Sequence, residues 1–289
     1  MTSPDPPASP SPIPPADPPL DEQLQHRVDG GVAWITLNRP QSGNALTPAV
    51  RNRMIELLEA ASGSLDVRAV VLGAAGERHF CTGADLRADR SAPERPEGAP
   101  DRVVGEAARM IRTGIQRLVN AILDCEKPVL CALNGTAAGG GAQLVLACDL
   151  VVAADTARII QVFVRRGLIP DGGGTYLLPR LVGIHKAKEL VYFGDDLGAV
   201  DAERLGIVNR VVPAAELDTA VREWAERLAA APTRTISFAK ALLNRSLDTD
   251  RATLFETEAA FVEMVAGTED SREGVGSFVE RRPPEFKGW

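Results

Sequence analysis

Three short, unbroken apolar runs constrain the fold most: Ala69-Val-Val-Leu72, Val129-Leu-Cys-Ala-Leu133 and Leu150-Val-Val-Ala-Ala154. Each reads as a short strand, and the first as a buried one. Val32-Ala-Trp-Ile-Thr-Leu37 reads as a further strand, closed by Asn38-Arg39-Pro40. Thr47-Pro48 then supplies an N-cap and a proline at the first helical position, for a helix running toward Gly63. Gly73 is expected to stop the strand that begins at Ala69, and one long helix is expected over residues 103–125, ended by Lys127-Pro128. Residues 135–141 read as a glycine-rich turn into a helix. Past Thr175 helical patterns dominate, over residues 184–193, 201–205, 215–230, 232–246 and 252–267. The expected class is α/β, with a core over residues 20–215 and a helical region over 216–289.

Residues 1–19 are dominated by Pro, Ser, Asp and Ala and hold almost nothing to bury. They are expected to form a disordered or polyproline-like tail, either a docking peptide or a dispensable extension. Residues 91–101 turn to Pro, Glu, Arg and Gly, the composition of a mobile surface loop. A formal charge of −7 argues against a nucleic-acid or anionic-membrane protein, although the basic stretch 280–287 could hold a phosphorylated ligand. The four cysteines (Cys81, Cys125, Cys131, Cys148) form no CxxC pair and no cluster with histidine. They read as reduced, mostly buried thiols, with no metal site. No apolar run approaches about 18 residues and no signal peptide is evident, so a cytoplasmic location is expected.

Two segments carry chemistry: Phe80-Cys-Thr-Gly-Ala-Asp-Leu86 and Asn134-Gly-Thr-Ala-Ala-Gly-Gly-Gly-Ala-Gln143. Each puts small residues where a strand ends, leaving backbone N–H groups open to a ligand. Two such groups aimed at one point make an oxyanion hole. The plainer alternative is close backbone packing. Asp149 reads as a residue that caps or orients a strand. His79 reads as a structural histidine, and Cys81 lacks a histidine partner for a nucleophile.

Those segments, with Asn38-Arg-Pro40, Asn44-Ala-Leu46, Gly167-Leu-Ile-Pro-Asp-Gly-Gly-Gly-Thr175 and Ser271-Arg-Glu-Gly-Val275…Phe286, resemble the crotonase (enoyl-CoA hydratase/isomerase) superfamily, in order and spacing. The resemblance spans residues 20–289. It implies a spiral of ββα units, and a C-terminal helical region that completes a homotrimer or dimer of trimers. It implies an acyl-CoA thioester substrate, with coenzyme A as part of the substrate and no other cofactor. By the same resemblance the Ala84 and Gly140 amides form the oxyanion hole. Ala45, Leu46, Thr82, Asp85, Leu86 and Arg87 line the adenosine–pantetheine channel, and Lys287 or a nearby C-terminal arginine reaches phosphate from its own or a neighbouring subunit. Residues 91–101, the stretch that the resemblance constrains least, are expected to border the acyl pocket. Asp85 has the alternative of supporting its turn.

The departures from the family pattern point away from hydration. Family hydratases carry two catalytic glutamates, and Gln143 and Phe163 stand at those positions here. Gln143 cannot ionise and Phe163 has no lone pair to offer. Asp171 instead occupies a position where the hydratases have glycine. The pattern Phe163…Gly167-Leu-Ile-Pro-Asp171…Gly174-Thr is similar to the phenylacetate-pathway ring-1,2-epoxyphenylacetyl-CoA isomerase branch, which uses an aspartate there as base. The alternative for Asp171 is an N-cap of the helix opening near Thr175. The leading expectation is therefore an acyl-CoA isomerase with a single aspartate base. An enoyl-CoA hydratase of unusual design and a non-catalytic acyl-CoA-binding protein are the alternatives.

Overall fold

The protein is described by a computed structural model over residues 18–87, 96–100 and 102–289. Most of the expected tail (1–17) and most of the expected loop (91–95 and 101) lie outside the described residues. In chain order the elements are α1 (Leu20–Gln23), β1 (Leu24–Asp29), β2 (Val32–Leu37), α2 (Pro48–Gly63), β3 (Ala69–Ala74), β4 (His79–Cys81), α3 (Glu106–Thr113) and α4 (Ile115–Leu123). There follow β5 (Val129–Leu133), β6 (Thr136–Ala138), α5 (Gly140–Ala147), β7 (Leu150–Ala154), β8 (Arg158–Ile160), α6 (Gly174–Val182), α7 (Ile184–Phe193), β9 (Asp196–Gly198), α8 (Ala199–Arg204) and β10 (Arg210–Val212). Helices α9 (Leu217–Ala229), α10 (Thr233–Arg245), α11 (Arg251–Ala266) and α12 (Glu269–Glu280) close the chain.

The larger sheet has the order β1-β2-β3-β5-β7-β10, antiparallel between β1 and β2 and parallel from β2 onward. A smaller sheet has the order β4-β6-β8-β9. The chain steps from the larger sheet (β3, β5, β7) to the smaller (β4, β6, β8) before each return through helix. That succession is a ββα spiral. The apolar runs are the central strands: Val70, Val71, Leu72, Val129, Leu130, Leu133, Val151 and Val152 are all buried. Each such side chain contributes about 1.5–3 kcal/mol of burial. Helix α9 lies across β2, β3, β5 and β7 and buries Leu217, Ala220, Val221 and Ala225, so the first helix past residue 216 packs on the sheet. By contrast α11 buries no residue, and Phe255, Val262, Phe278 and Val279 of α11 and α12 are exposed.

Several expectations are corrected. The helix expected over residues 103–125 is two helices, broken at Gly114 (φ −100°, ψ −106°), where a Cβ would stand 2.5 Å from Met110 O. Gly73 does not stop β3, which continues to Ala74 in register with β2. Strand β1 was not anticipated, because beyond Leu24 it is an exposed edge with no apolar alternation. Its signal was Gly30-Gly31, whose φ values of 57° and 78° fit the two-residue hairpin turn joining β1 to β2. Helix α12 was missed too, although Thr268 caps it by accepting the Ser271 N–H. Among the described residues no helix is long and apolar enough to cross a membrane.

Candidate functional site

A polar lock holds the first site segment. Asn44 has a left-handed backbone (φ 53°); its side chain accepts the Arg39 N–H at 2.8 Å and donates to Ala75 O and His79 O at 3.0 and 2.8 Å. Buried Arg39 donates to Ala45 O at 2.7 Å and pairs with Asp85 at 3.0 Å. Leu46 then bridges to Ala84: its N–H donates to Gly83 O at 2.8 Å and its carbonyl accepts from Asp85 N–H at 2.9 Å. That pairing uses the groups on either side of Ala84 and leaves the Ala84 N–H unused.

The second segment is packed against the first, backbone to backbone. Gly139 (φ 54°, ψ −123°) is the N-cap of α5, and Gly140 is its first residue. A Cβ on Gly83 would lie 3.1 Å from Gly140 N, and one on Gly141 would lie 2.0 Å from Cys81 O. The close-packing reading of the glycines therefore holds: the backbone at Cys81–Gly83 lies directly against that at Gly139–Gly141. Neither the Ala84 nor the Gly140 N–H donates to a described group. Ala84 is exposed and Gly140 half-buried, so both remain open to a ligand.

Gly172, the residue after Asp171, shares a neighbour with Gly140 in Ile115. A Cβ on Gly172 would stand 2.8 Å from Ile115 Cγ1, and one on Gly140 would stand 3.5 Å from Ile115 Cδ1. The N-cap of α6 is Gly173, without a side-chain cap, which removes the capping alternative for Asp171. Its half-buried carboxylate accepts from no other described residue; only its own backbone N–H is near. Burial pushes that carboxyl above its ordinary value, against the smaller opposing pull of its own N–H. Leu168 and Ile169 just before it are exposed.

Gln143 lies beneath this turn, and Phe163 lies beside Gly139. Gln143 is fully buried, and its amide lies so close to Gly174 that a Cβ there would come within 2.6 Å of Oε1. As its amide is assigned, Nε2 donates to Gln161 Oε1 at 2.9 Å, while Gln143 Oε1 and Gln161 Nε2 have no partner. Buried Phe163 reaches 4.0 Å from a Cβ on Gly139. Sequence reasoning missed Ile115 and Gln161; neither carries a signal beyond an apolar or polar residue in an ordinary run.

The expected channel residues divide by exposure. Leu86 and Arg87 are exposed, Thr82 is half-buried with its hydroxyl on Gly43 O at 3.1 Å, and Ala45 and Leu46 are buried. The Asp85 carboxylate is turned inward to Arg39 and the Arg87 N–H, so it supports the turn rather than lining a channel. Lys287 is not brought to this site within the chain. It pairs with Glu269 at 3.4 Å, and neighbouring Phe286 is held by Arg68 at the start of β3, the opposite end from Ala84. Asp149 does orient a strand, accepting from Val129 N–H and pairing with Lys240, both at 2.7 Å. Burial pushes the Cys81 thiol up to about 12, which disqualifies it as a nucleophile. The His79 carbonyl serves Asn44, its Nδ1 is buried without a partner, and burial with Arg78 lowers its pKa.

The ββα spiral is the crotonase fold. The family model for enoyl-CoA hydratase/isomerase matches residues 27–289. The chain is 37% identical over 265 residues to a "probable enoyl-CoA hydratase" of Rhodobacter capsulatus, covering 92% of this chain and 98% of the relative. It is 34% identical over 267 residues to the 1,2-epoxyphenylacetyl-CoA isomerase of Escherichia coli, covering 92% and 99%. The solved structure of an enoyl-CoA hydratase from Bacillus anthracis matches with a TM-score of 0.83 at 32% identity, over 92% of this chain and all of that one. The chain belongs to the enoyl-CoA hydratase/isomerase family and is an enzyme of it.

Proposed function

We propose that this enzyme is an acyl-CoA isomerase that moves a double bond or rearranges a ring through a thioester enolate. Asp171 is its single base, and the Ala84 and Gly140 amides are its oxyanion hole. The carrying observation is Asp171 itself: a half-buried carboxylate with no cap to make and no cation beside it, in a turn whose Gly172 and Gly174 pack on the neutral Gln143. Asp171 removes a proton from carbon activated by the thioester. The electron pair moves into the thioester carbonyl, whose oxygen gains charge against the two amides. The same carboxylic acid returns the proton at another carbon, so no water is activated and one base suffices. Coenzyme A enters as part of the substrate, along the exposed Leu86 and Arg87, and the chemistry calls on no further cofactor. The activity named for the Escherichia coli relative supports this reading.

The apolar side chains exposed on α11 and α12 support assembly as a homotrimer or dimer of trimers. Lys287 reaches coenzyme A phosphate only across such an interface.

A second reading, hydration of a 2-enoyl-CoA, is favoured by the name of the Rhodobacter capsulatus relative. Proton NMR in heavy water with a 3-enoyl-CoA and a 2-enoyl-CoA separates the two. Double-bond migration with deuterium incorporation is expected, with kcat about 10²–10⁴ lower in Asp171→Asn. Unchanged turnover in that variant refutes the base. A 3-hydroxyacyl-CoA product establishes hydration, and binding without any exchange of either aliphatic substrate leaves an aromatic ring substrate or a binding protein.

A further inference from the structure

A concavity of about 230 Å³ lies at the other end of the larger sheet, where β3 and β5 begin. Lys127, Arg68, Arg234, Thr233, Ser62 and Glu126 wall it. Lys127 is only 4% exposed, yet its Nζ hydrogen-bonds to no described group, and its tip is not sealed from the cavity. Lys240, also buried, shows what a buried ammonium requires: Ile122 O, Lys127 O and Asp149 take its donors at 2.9, 3.2 and 2.7 Å. A desolvated cation without such partners is costly unless something else supplies them.

The rest of the wall is suited to an anion. Helix α10 starts there with Pro232 as N-cap and no side-chain cap, so the Thr233 and Arg234 N–H groups lack acceptors. Arg68 is fixed by bonds to Thr233 Oγ1, Phe286 O and Ala231 O at 3.1, 2.9 and 2.7 Å, which holds its charge at the wall. Arg234 pairs with Glu126. Three cations therefore face the Glu126 carboxylate, with Asp270, which accepts the Gly288 N–H at 2.8 Å, as a second negative charge near Arg68. Burial pulls the Lys127 ammonium below its ordinary value, with Glu126 opposing, and a bound anion would raise it.

We propose that this cavity is a binding site for a phosphate dianion, free or as a small phosphomonoester, with Lys127 as its principal ligand and the N-terminal amides of α10 completing it. The volume falls below the roughly 300–1,000 Å³ of sites for larger ligands, which excludes a nucleotide. An occupied site ties α10 and the chain end to the sheet through Arg68, and stabilises the fold by mass action.

The test is a ³¹P NMR titration of the full chain with inorganic phosphate at ionic strength held constant with chloride, alongside thermal unfolding. One saturable site is expected, with a Tm that rises with occupancy. Affinity should fall at least about tenfold in Lys127→Met and be retained in Asp171→Asn. Glycerol 3-phosphate competing at the same site marks a monoester pocket, and its failure to compete marks a site for the free ion. No saturation by about 10 mM phosphate, or unchanged affinity in Lys127→Met, overturns the proposal. If that variant does not fold, Arg234→Gln, at a partly exposed side chain, is held to the same criterion.

Discussion

Replacing Gly141 by alanine tests whether backbone contact sets the distance between the two site amides. The new Cβ would stand 2.0 Å from Cys81 O and 2.7 Å from Cys81 C, where ordinary contact starts at 3.4 Å. The Cys81–Ala84 segment must therefore withdraw from α5 by 3.4 − 2.0 = 1.4 Å. Neither side can absorb this by a rotamer change, because the clashing atoms are main-chain. Misplacement by about 1 Å costs on the order of 10²-fold in rate, and losing one oxyanion donor about 10²–10³-fold. Exchange of the α-protons of a saturated acyl-CoA into heavy water should accordingly slow by about 10²–10³. Overpacking should also cost about 1–3 kcal/mol of stability, read from urea unfolding. Unchanged exchange in Gly141→Ala, with an unchanged midpoint, refutes the packing account. Lost stability with unchanged exchange per folded molecule keeps the packing but removes the amides from the chemistry.

Burial raises the Asp171 carboxyl, and the base works deprotonated, so kcat/KM should fall on the acid side at a pH above the ordinary carboxylate value of about 4; a profile lacking that limb counts against Asp171. The linked stability has the opposite sense. A raised folded-state value favours the fold below the unfolded value, and that benefit is lost as pH rises through the folded one. Asp171→Asn should therefore gain in Tm relative to the parent chain between acid and neutral pH. Lys240→Met leaves the Asp149 charge without its cation and two carbonyls without their donor, and should cost about 3–5 kcal/mol in urea unfolding; a loss below about 1 kcal/mol contradicts the ion-pair assignment.

The central strands were legible because burial on both faces writes itself as an unbroken apolar run, as in Val129-Leu-Cys-Ala-Leu133. The smaller sheet was not, because β4, β6, β8 and β9 are three residues each, too short to show any period. The break at Gly114 was hidden because the apolar spacing on both sides continues as if for one helix, and a single glycine inside a helical pattern does not by itself stop it. At the site, the glycine-bearing segments could be located but their meeting could not. That depends on the long-range bridge between Leu46 and Ala84 and on the fit of Gly141 against Cys81, neither of which leaves a local trace. The inward turn of Asp85 was likewise decided by Arg39, far away in sequence.

Three aspartates flank the glycine-bearing segments, and their surroundings divide their roles. Asp85 is tied to Arg39, and Asp149 to Lys240 and the Val129 N–H, so each is held as a fixed structural charge. Asp171 has no such partner, and its raised value comes from burial alone. A base must lose its charge during turnover, and one unpaired by any cation gives up least in doing so. The neutral neighbours belong to the same requirement. Gln143 lies against Gly172 and Gly174, so a glutamate there would set a second carboxylate within reach of Asp171. Two carboxylates sharing a site titrate as a pair, with one pushed up and the other down, and neither then keeps the value of an isolated base. Neutral side chains at 143 and 163 and a lone carboxylate at 171 thus fit the proposed single-base chemistry together. A pair of carboxylates can divide the handling of water and proton, whereas the single group that the proposal requires carries a proton away and brings it back.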